Sequence, residues 1–388
     1  MKSDTPEVSV VIPCLNEALT VGACVREARD ALERHGIAGE VILADNGSVD
    51  GSREEALKAG ARVVDVAPRG YGHALAGGIA AARAPFIIMG DADGSYDFGQ
   101  VDQFVREMRA GNELVQGCRL PRGGGRIEEG AMPFMHRWVG NPVLTVLARL
   151  MFGARIHDVY CGMRGFTRAF YGRAGLRCTG MEFATEMVIK AAQMGVPTAE
   201  LPITLRRDGR KGRPSHLRTF RDGWLTLRLF LLCSPDWLFL VPGVSLAAAG
   251  VAGGFASFFA VRIGSATLGV HTMLVSSAVI LIATQCLFLG IYAHTFAMVR
   301  GLKPAGPFID GFYRIFNLEK ALVGSAVVAL AGLALIAAVF LDWRARGFGP
   351  LDYGRTLRSV IPGVTLVALS AQVVFSSFMV SILSLESK

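Results

Sequence analysis

Phe86-Ile-Ile-Met-Gly-Asp91-Ala-Asp93 is an apolar run that stops on two aspartates spaced i, i+2. Residues 86–89 carry no polar side chain, the pattern of a strand buried on both faces in a parallel sheet. The carboxylates then fall just past the strand's C-terminal edge, where open α/β sheets bind their ligands. Two hard oxygen donors at that edge suit Mg²⁺ or Mn²⁺ bridging a diphosphate, because these ions favour carboxylate and phosphate oxygens. Asp and Gly are also ordinary turn formers, so a solvated strand-end turn accounts for the same residues without a metal. The flanking sequence has to decide between the two.

On either side, strand and helix patterns alternate. Apolar strand candidates lie at 8–12, 40–44, 62–66 and 113–117, with helical stretches at about 17–35, 51–60, 72–83 and 98–110. This rhythm implies a mostly parallel, Rossmann-like α/β sheet. Asp50, just before Gly-Ser-Arg-Glu-Glu, is a candidate N-cap for the second helix. No G-x-G-x-x-G opens the first helix and no P-loop pattern is present, which argues against a dinucleotide enzyme or a P-loop kinase. Residues 120–131, rich in glycine, are expected to form a mobile loop with Arg122 and Arg126 as anion contacts.

Composition changes sharply along the chain. Of its 388 residues 52% are hydrophobic and 19% charged, and the mean hydropathy is +0.41. Beyond residue 235 come four runs nearly free of charge, at about 237–261, 273–297, 321–341 and 359–384. Each is long enough for a membrane-spanning helix, which takes about 20 residues. Pro242 and Pro362 are expected near helix starts. Before the first run, Leu217, Phe220, Trp224, Leu227 and Leu231 recur at alternating steps of three and four, with Arg218, Arg221 and Arg228 off the stripe. They predict an amphipathic interfacial helix within 216–235; a helix packed on the globular domain is the alternative. A second interfacial piece is expected at 307–318. His271, Gln285 and His294 are the candidate polar residues within the spans.

The Met1-Lys-Ser-Asp start leads directly into strand-like residues, with no secretory pattern. Together with basic residues before the first span and between the second and third, this predicts a cytoplasmic catalytic domain on a membrane, most simply a bacterial inner membrane. Arg344, Arg346, Arg355 and Arg358 in the last loop oppose that orientation. Seven cysteines without a Cys-x-x-Cys pair fit a reducing compartment. The net charge of +8 concentrates beside the membrane, so anionic lipid rather than nucleic acid is the expected partner. Oligomeric state, a homo-oligomer included, is left open.

Several ordered motifs now become recognisable. Val-Val-Ile-Pro13-Cys-Leu-Asn16-Glu17, Ala-Asp45-Asn46-Gly-Ser48-Val-Asp50 and Gly-Asp91-Ala-Asp93 resemble glycosyltransferase family 2. Downstream, Gly117-Cys-Arg119, His157-Asp158-Val-Tyr-Cys-Gly162-Met-Arg164 and Gly180-Met-Glu182-Phe-Ala-Thr-Glu186 are similar to the branch of dolichyl-phosphate mannose and polyprenyl-phosphate glucose synthases. The resemblance covers about residues 7–235. It implies a GT-A domain over 1–215, an interfacial helix over 216–235 and a four-helix membrane region over 236–388.

It also implies a nucleotide-sugar pocket lined by Pro13, Asn16, Glu17, Asp45, Arg69, His73 and Asp91. Mg²⁺ or Mn²⁺ would be held by Asp91 and Asp93. Ser95 stands where that branch commonly has glutamine, which makes Asp97 the substitute third ligand. A polyprenyl phosphate acceptor is anionic already and needs no general base, whereas family members that use a sugar hydroxyl carry a carboxylate base. The phosphate needs a cationic cradle instead. Arg119 and Arg137 would form it, supported by Asn141, Asp158, Arg164, Arg213, Ser215 and His216; Asp158 and Arg164 are alternatively a mutual ion pair. The implied activity is inverting transfer of a hexose from a UDP-glucose- or GDP-mannose-type donor to undecaprenyl or dolichyl phosphate, with Asp93, Arg119 and Arg137 carrying the chemistry. The alternatives are another lipid or glycan acceptor, or a lipid-linked sugar flippase or interaction module with a passenger domain.

Overall fold

The stretch 86–89 is a strand covered on both faces (β4, Phe86–Met89), and Asp91 and Asp93 follow it. The computed structural model describes residues 5–210, 219–299, 311–313 and 317–385. The chain divides into two compact units, residues 1–233 and 234–388.

In the first unit, β4 pairs in parallel with β1 (Val8–Cys14), which pairs with β2 (Gly39–Asp45) and through it with β3 (Arg62–Asp65). On the other side stand β7 (Arg164–Thr167), antiparallel to both of its neighbours, then β5 (Leu114–Cys118) and β8 (Thr198–Pro202). The order β3-β2-β1-β4-β7-β5-β8 makes a mostly parallel GT-A-type sheet of seven strands. Every residue of β1 is buried, as expected of a strand with helices on both faces. Val8, Val10 and Ile12 face α1 (Val21–Arg34) and α4 (Val101–Arg109), while Val11, Ile42 and Met89 face α3 (Tyr71–Ala81) and α7 (Glu182–Met194).

Three local expectations need correction. Asp50 is not the N-cap of α2 (Ser52–Lys58); Gly51 holds that place at φ 90°. The Asp50 carboxylate instead accepts from the Ser52 N–H and hydroxyl, because the chain turns through the glycine first. The segment 120–131 is ordered: Arg126–Ile127 (β6) pairs with Thr204–Leu205 (β9), and Ile127 is in the core. Its glycines serve close approach, since a Cβ on Gly125 would lie 2.1 Å from the Cys118 carbonyl. Finally, Pro362 lies inside the helix Tyr353–Leu385, where packing of neighbouring helices tolerates the lost N–H; Pro242 does lie in a first helical turn.

The helix α8 (Thr219–Cys233) packs on the domain and also keeps an apolar edge outside. Phe230 is fully buried against α5 (Asn141–Phe152), with its ring 5.6 Å from that of Phe152. Phe220 and Trp224 are 90% and 58% exposed. In the second unit, Asp236–Phe258, Val270–Val299, Leu318–Ala345 and Tyr353–Ser384 are long and apolar enough to cross a membrane. Small residues let these helices approach: a Cβ on Gly332 would lie 2.6 Å from the Gly363 carbonyl, as in lipid-embedded packing. His294 pairs with Asp236 at 2.6 Å. Most of 307–318 lies outside the described residues.

Candidate active site

At the C-terminal edge of the parallel strands the first unit encloses a cavity of about 1100 Å³. Among the residues expected from the sequence, Pro13, Glu17, Arg69, Asp91, Asp93, Arg119 and Asn141 line it, together with Ser95. The structure therefore brings together residues from five segments of the chain. Arg213, Ser215 and His216 lie outside the described residues.

The acidic edge is crowded. Burial, and then the neighbouring Asp93 charge, push the Asp91 carboxyl up to about 6, the response of two carboxylates sharing one site. Tyr71 donates its hydroxyl to Asp91 Oδ1 at 2.8 Å. Asp93 Oδ1 accepts the Ser95 N–H at 3.0 Å. Arg210 reaches across from a late segment of the domain: its Nε donates to Glu17 Oε1 at 2.8 Å, and its Nη2 lies 3.4 Å from Asp93 Oδ2. Burial disfavours that guanidinium charge, but the Glu17 and Asp93 carboxylates outweigh it and raise the Arg210 pKa. Excess negative charge that draws an arginine, presented on hard oxygens, is a donor set that fits a divalent cation. Asp97 does not join it. Its Oδ1 caps the Gly99 N–H and pairs with Arg206 at 2.9 Å. Among the described residues no three His, Cys, Asp or Glu side chains converge as a metal-ligand set.

The basic side centres on Arg119. Its Nε and Nη2 grip the two oxygens of Asp158 at 2.7 and 2.9 Å, and its backbone N–H adds a third bond at 3.0 Å. The Asp158 side chain is fully buried and that of Arg119 is 10% exposed. Burial opposes the guanidinium charge, and the Asp158 carboxylate overrides it, so Arg119 stays firmly protonated. Asp158 thus pairs with Arg119, not with Arg164. Arg164 is fully buried in β7 and donates to the carbonyls of Ala184 and Cys161, which removes it from the cavity wall. Arg137 is also off the wall: it stacks over Trp138 at 5.3 Å, while His136, Gly140 and Asn141 line the cavity.

On the donor side the placement shifts by single residues. Asp45, 1% exposed, accepts the Gly47 and Ser48 N–H groups beneath its own turn, and its neighbour Asn46 reaches the cavity. Asn16 takes φ 60° and its Oδ1 accepts the Val49 N–H. His73 faces the Arg69 carbonyl at 3.1 Å. Neither is in the wall. Residues that sequence reasoning did not assign to the site are Tyr71, Tyr96, Arg210 and Glu182, with Thr219, Arg221 and Asp222 from α8. The Arg-Gly-Tyr-Gly spacing at the start of α3 was the available signal for Tyr71. Arg210 was hidden in a basic run. Glu182 makes no hydrogen bond or ion pair among the described residues.

A GT-A-type sheet that ends in this carboxylate pair, in one chain with four membrane-length helices, defines a membrane glycosyltransferase. Comparison with known proteins agrees. Residues 9–174 match the model for glycosyl transferase family 2, and residues 291–384 match the glycosyltransferase family 2 C-terminal transmembrane region. A low-salt glycan biosynthesis hexosyltransferase, Agl6, from Haloferax volcanii is 34% identical over 96% of this chain and 88% of its own. A dolichyl-phosphate hexose transferase from the same organism is 30% identical over 52% of this chain and 83% of its own. Among solved structures, glucosyl-3-phosphoglycerate synthase from Mycobacterium tuberculosis is similar at 20% identity and a TM-score of 0.47, covering 59% of this chain and 80% of that one. The chain belongs to glycosyltransferase family 2 and is an integral membrane protein.

Proposed function

We propose that the protein transfers a hexose from a nucleotide-sugar to a polyprenyl phosphate at the membrane surface, with inversion at the anomeric carbon. The observation that carries this reading is one cavity lined both by a carboxylate pair, Asp91 and Asp93, and by the buried cation Arg119. The names of the two relatives, a glycan-biosynthesis hexosyltransferase and a dolichyl-phosphate hexose transferase, support the sugar and acceptor classes.

Asp91 and Asp93 would hold Mg²⁺ or Mn²⁺ against the donor diphosphate. When bound, that ion supplies Lewis-acid neutralisation of the departing nucleoside diphosphate. Arg210, already drawn to the carboxylates, is positioned to meet the same diphosphate once the carboxylates are neutralised. In the same cavity Arg119 orients the lipid phosphate. Its pairing with Asp158 fixes the guanidinium plane and tempers its charge, so the phosphate oxygen is aimed without being quenched as a nucleophile. Asn141 lines the same cavity. The exposed Phe220 and Trp224 edge of α8 would rest among lipid headgroups, on the cytoplasmic side, with Arg221 lining the cavity below.

Glu182 favours a second reading. A carboxylate with no partner among the described residues, in the wall of the same cavity, is the group a hydroxyl acceptor would need as base. The two readings separate in one assay. Membranes containing the protein are incubated with labelled UDP-glucose or GDP-mannose and undecaprenyl or dolichyl phosphate. The phosphate reading predicts a labelled lipid-phosphate sugar; no such product with any common donor overturns it.

A further inference from the structure

Ser95 offers only a short side chain where the resemblance places glutamine, and Asp97 is turned away to Arg206. The carboxylate pair must therefore be held in position by something other than a third acidic or amide ligand. We propose that Tyr71 is the positioning residue for Asp91, holding its carboxylate in the orientation that receives the divalent cation. This rests on the reading of Asp91 and Asp93 as cation ligands.

The geometry is closed on both sides of the carboxylate. Tyr71 donates to Oδ1 at 2.8 Å. Toward Oδ2 lies Gly162, where a Cβ would sit 2.9 Å from both that oxygen and the Tyr96 hydroxyl. Tyr96 in turn accepts the Gly162 N–H at 2.8 Å, so the glycine cannot drift away. Between these neighbours Asp91 lines the cavity. Tyr71 is itself anchored. It opens α3, and the next residue, Gly72, donates its N–H to the Thr179 carbonyl at 2.9 Å. A Cβ on Gly72 would lie 2.7 Å from the Cys178 carbonyl oxygen and the Thr179 carbonyl carbon, so the first turn of α3 is pressed on that segment. Burial, then the Asp91 charge, keep the phenol protonated and able to donate. Loss of a hydrogen bond to a metal-ligating side chain typically weakens metal affinity about 10–100-fold.

The test is Mn²⁺ binding by the full-length protein in detergent, followed through the paramagnetic resonance of free Mn²⁺ without donor or acceptor. Wild type should bind and Asp93→Asn should not; a wild type that binds no Mn²⁺ overturns the cation reading, and this inference with it. Given wild-type binding, Tyr71→Phe should raise the Mn²⁺ dissociation constant about 10–100-fold. At saturating Mn²⁺ its KM for polyprenyl phosphate should remain that of wild type. Unchanged Mn²⁺ affinity in Tyr71→Phe overturns the inference. A parallel rise in the lipid-phosphate KM also overturns it, because a general disturbance of the fold would do the same.

Discussion

Asp158 takes three hydrogen bonds from Arg119 while fully shielded from solvent. Removing one partner of such a pair leaves an uncompensated buried charge, at a cost of about 3–5 kcal/mol. Asp158→Ala should therefore lower the unfolding midpoint strongly. Asp97→Ala, which breaks a partly exposed pair with Arg206, should cost at most about 1 kcal/mol and leave Mn²⁺ affinity unchanged. Equal losses in the two variants would contradict this account. Asp91 carries the opposite sign. Its folded pKa, about 6, lies above the ordinary carboxylate range, so ionising it costs the metal-free protein stability. The cost is absent at pH near 4, grows as pH rises and is complete above about 6. Asp91→Asn should raise the unfolding midpoint in EDTA at pH 7.5, by the order of 2–3 kcal/mol, with the gain fading toward pH 4. A gain independent of pH would refute it. The pair itself was legible because an apolar run ends on it. Successive strand residues point to opposite sides, so spacing alone does not tell that Asn46, and not Asp45, lines the cavity.

At the scale of elements, α8 packs on the domain, the alternative that its spacing left open, and leaves one apolar edge exposed. Its Phe230 side is packed into the domain and its Phe220 and Trp224 edge is open. Phe230→Ala should destabilise by about 3–5 kcal/mol. Trp224→Ser should leave stability within about 0.5 kcal/mol yet lower transfer to membrane-embedded acceptor. A stability loss in Trp224→Ser like that of Phe230→Ala would mean that this edge is core. Heptad-like spacing showed an apolar stripe but not that Phe230, one residue before Leu231, is the buried anchor. Five of the six parallel strands, β1 to β5, were legible from their apolar runs; β8, Thr-Ala-Glu-Leu-Pro, was not. The antiparallel β7 was not, because Arg164-Gly-Phe-Thr is short and is made a strand by pairing with β4 and β5. Arg137, assigned by resemblance alone, stacks over Trp138 in the wide π turn His136–Gly140, where the rotation per residue differs from that of an α-helix.

For the whole molecule, composition alone separated a catalytic half from a membrane half, since the lipid core demands long uncharged helices. What composition could not do was say which acceptor the cavity receives, because Arg119 and Glu182 share its wall though they are far apart in sequence. That choice is the central claim. It is tested most directly by transfer from labelled nucleotide-sugar to polyprenyl phosphate as sole acceptor, with wild type and Glu182→Gln compared at saturating Mn²⁺. Both should form a lipid-phosphate hexose, at rates within a few-fold, since the phosphate needs no base. Failure of wild type to form that product with any common donor, or its loss in Glu182→Gln, would contradict it.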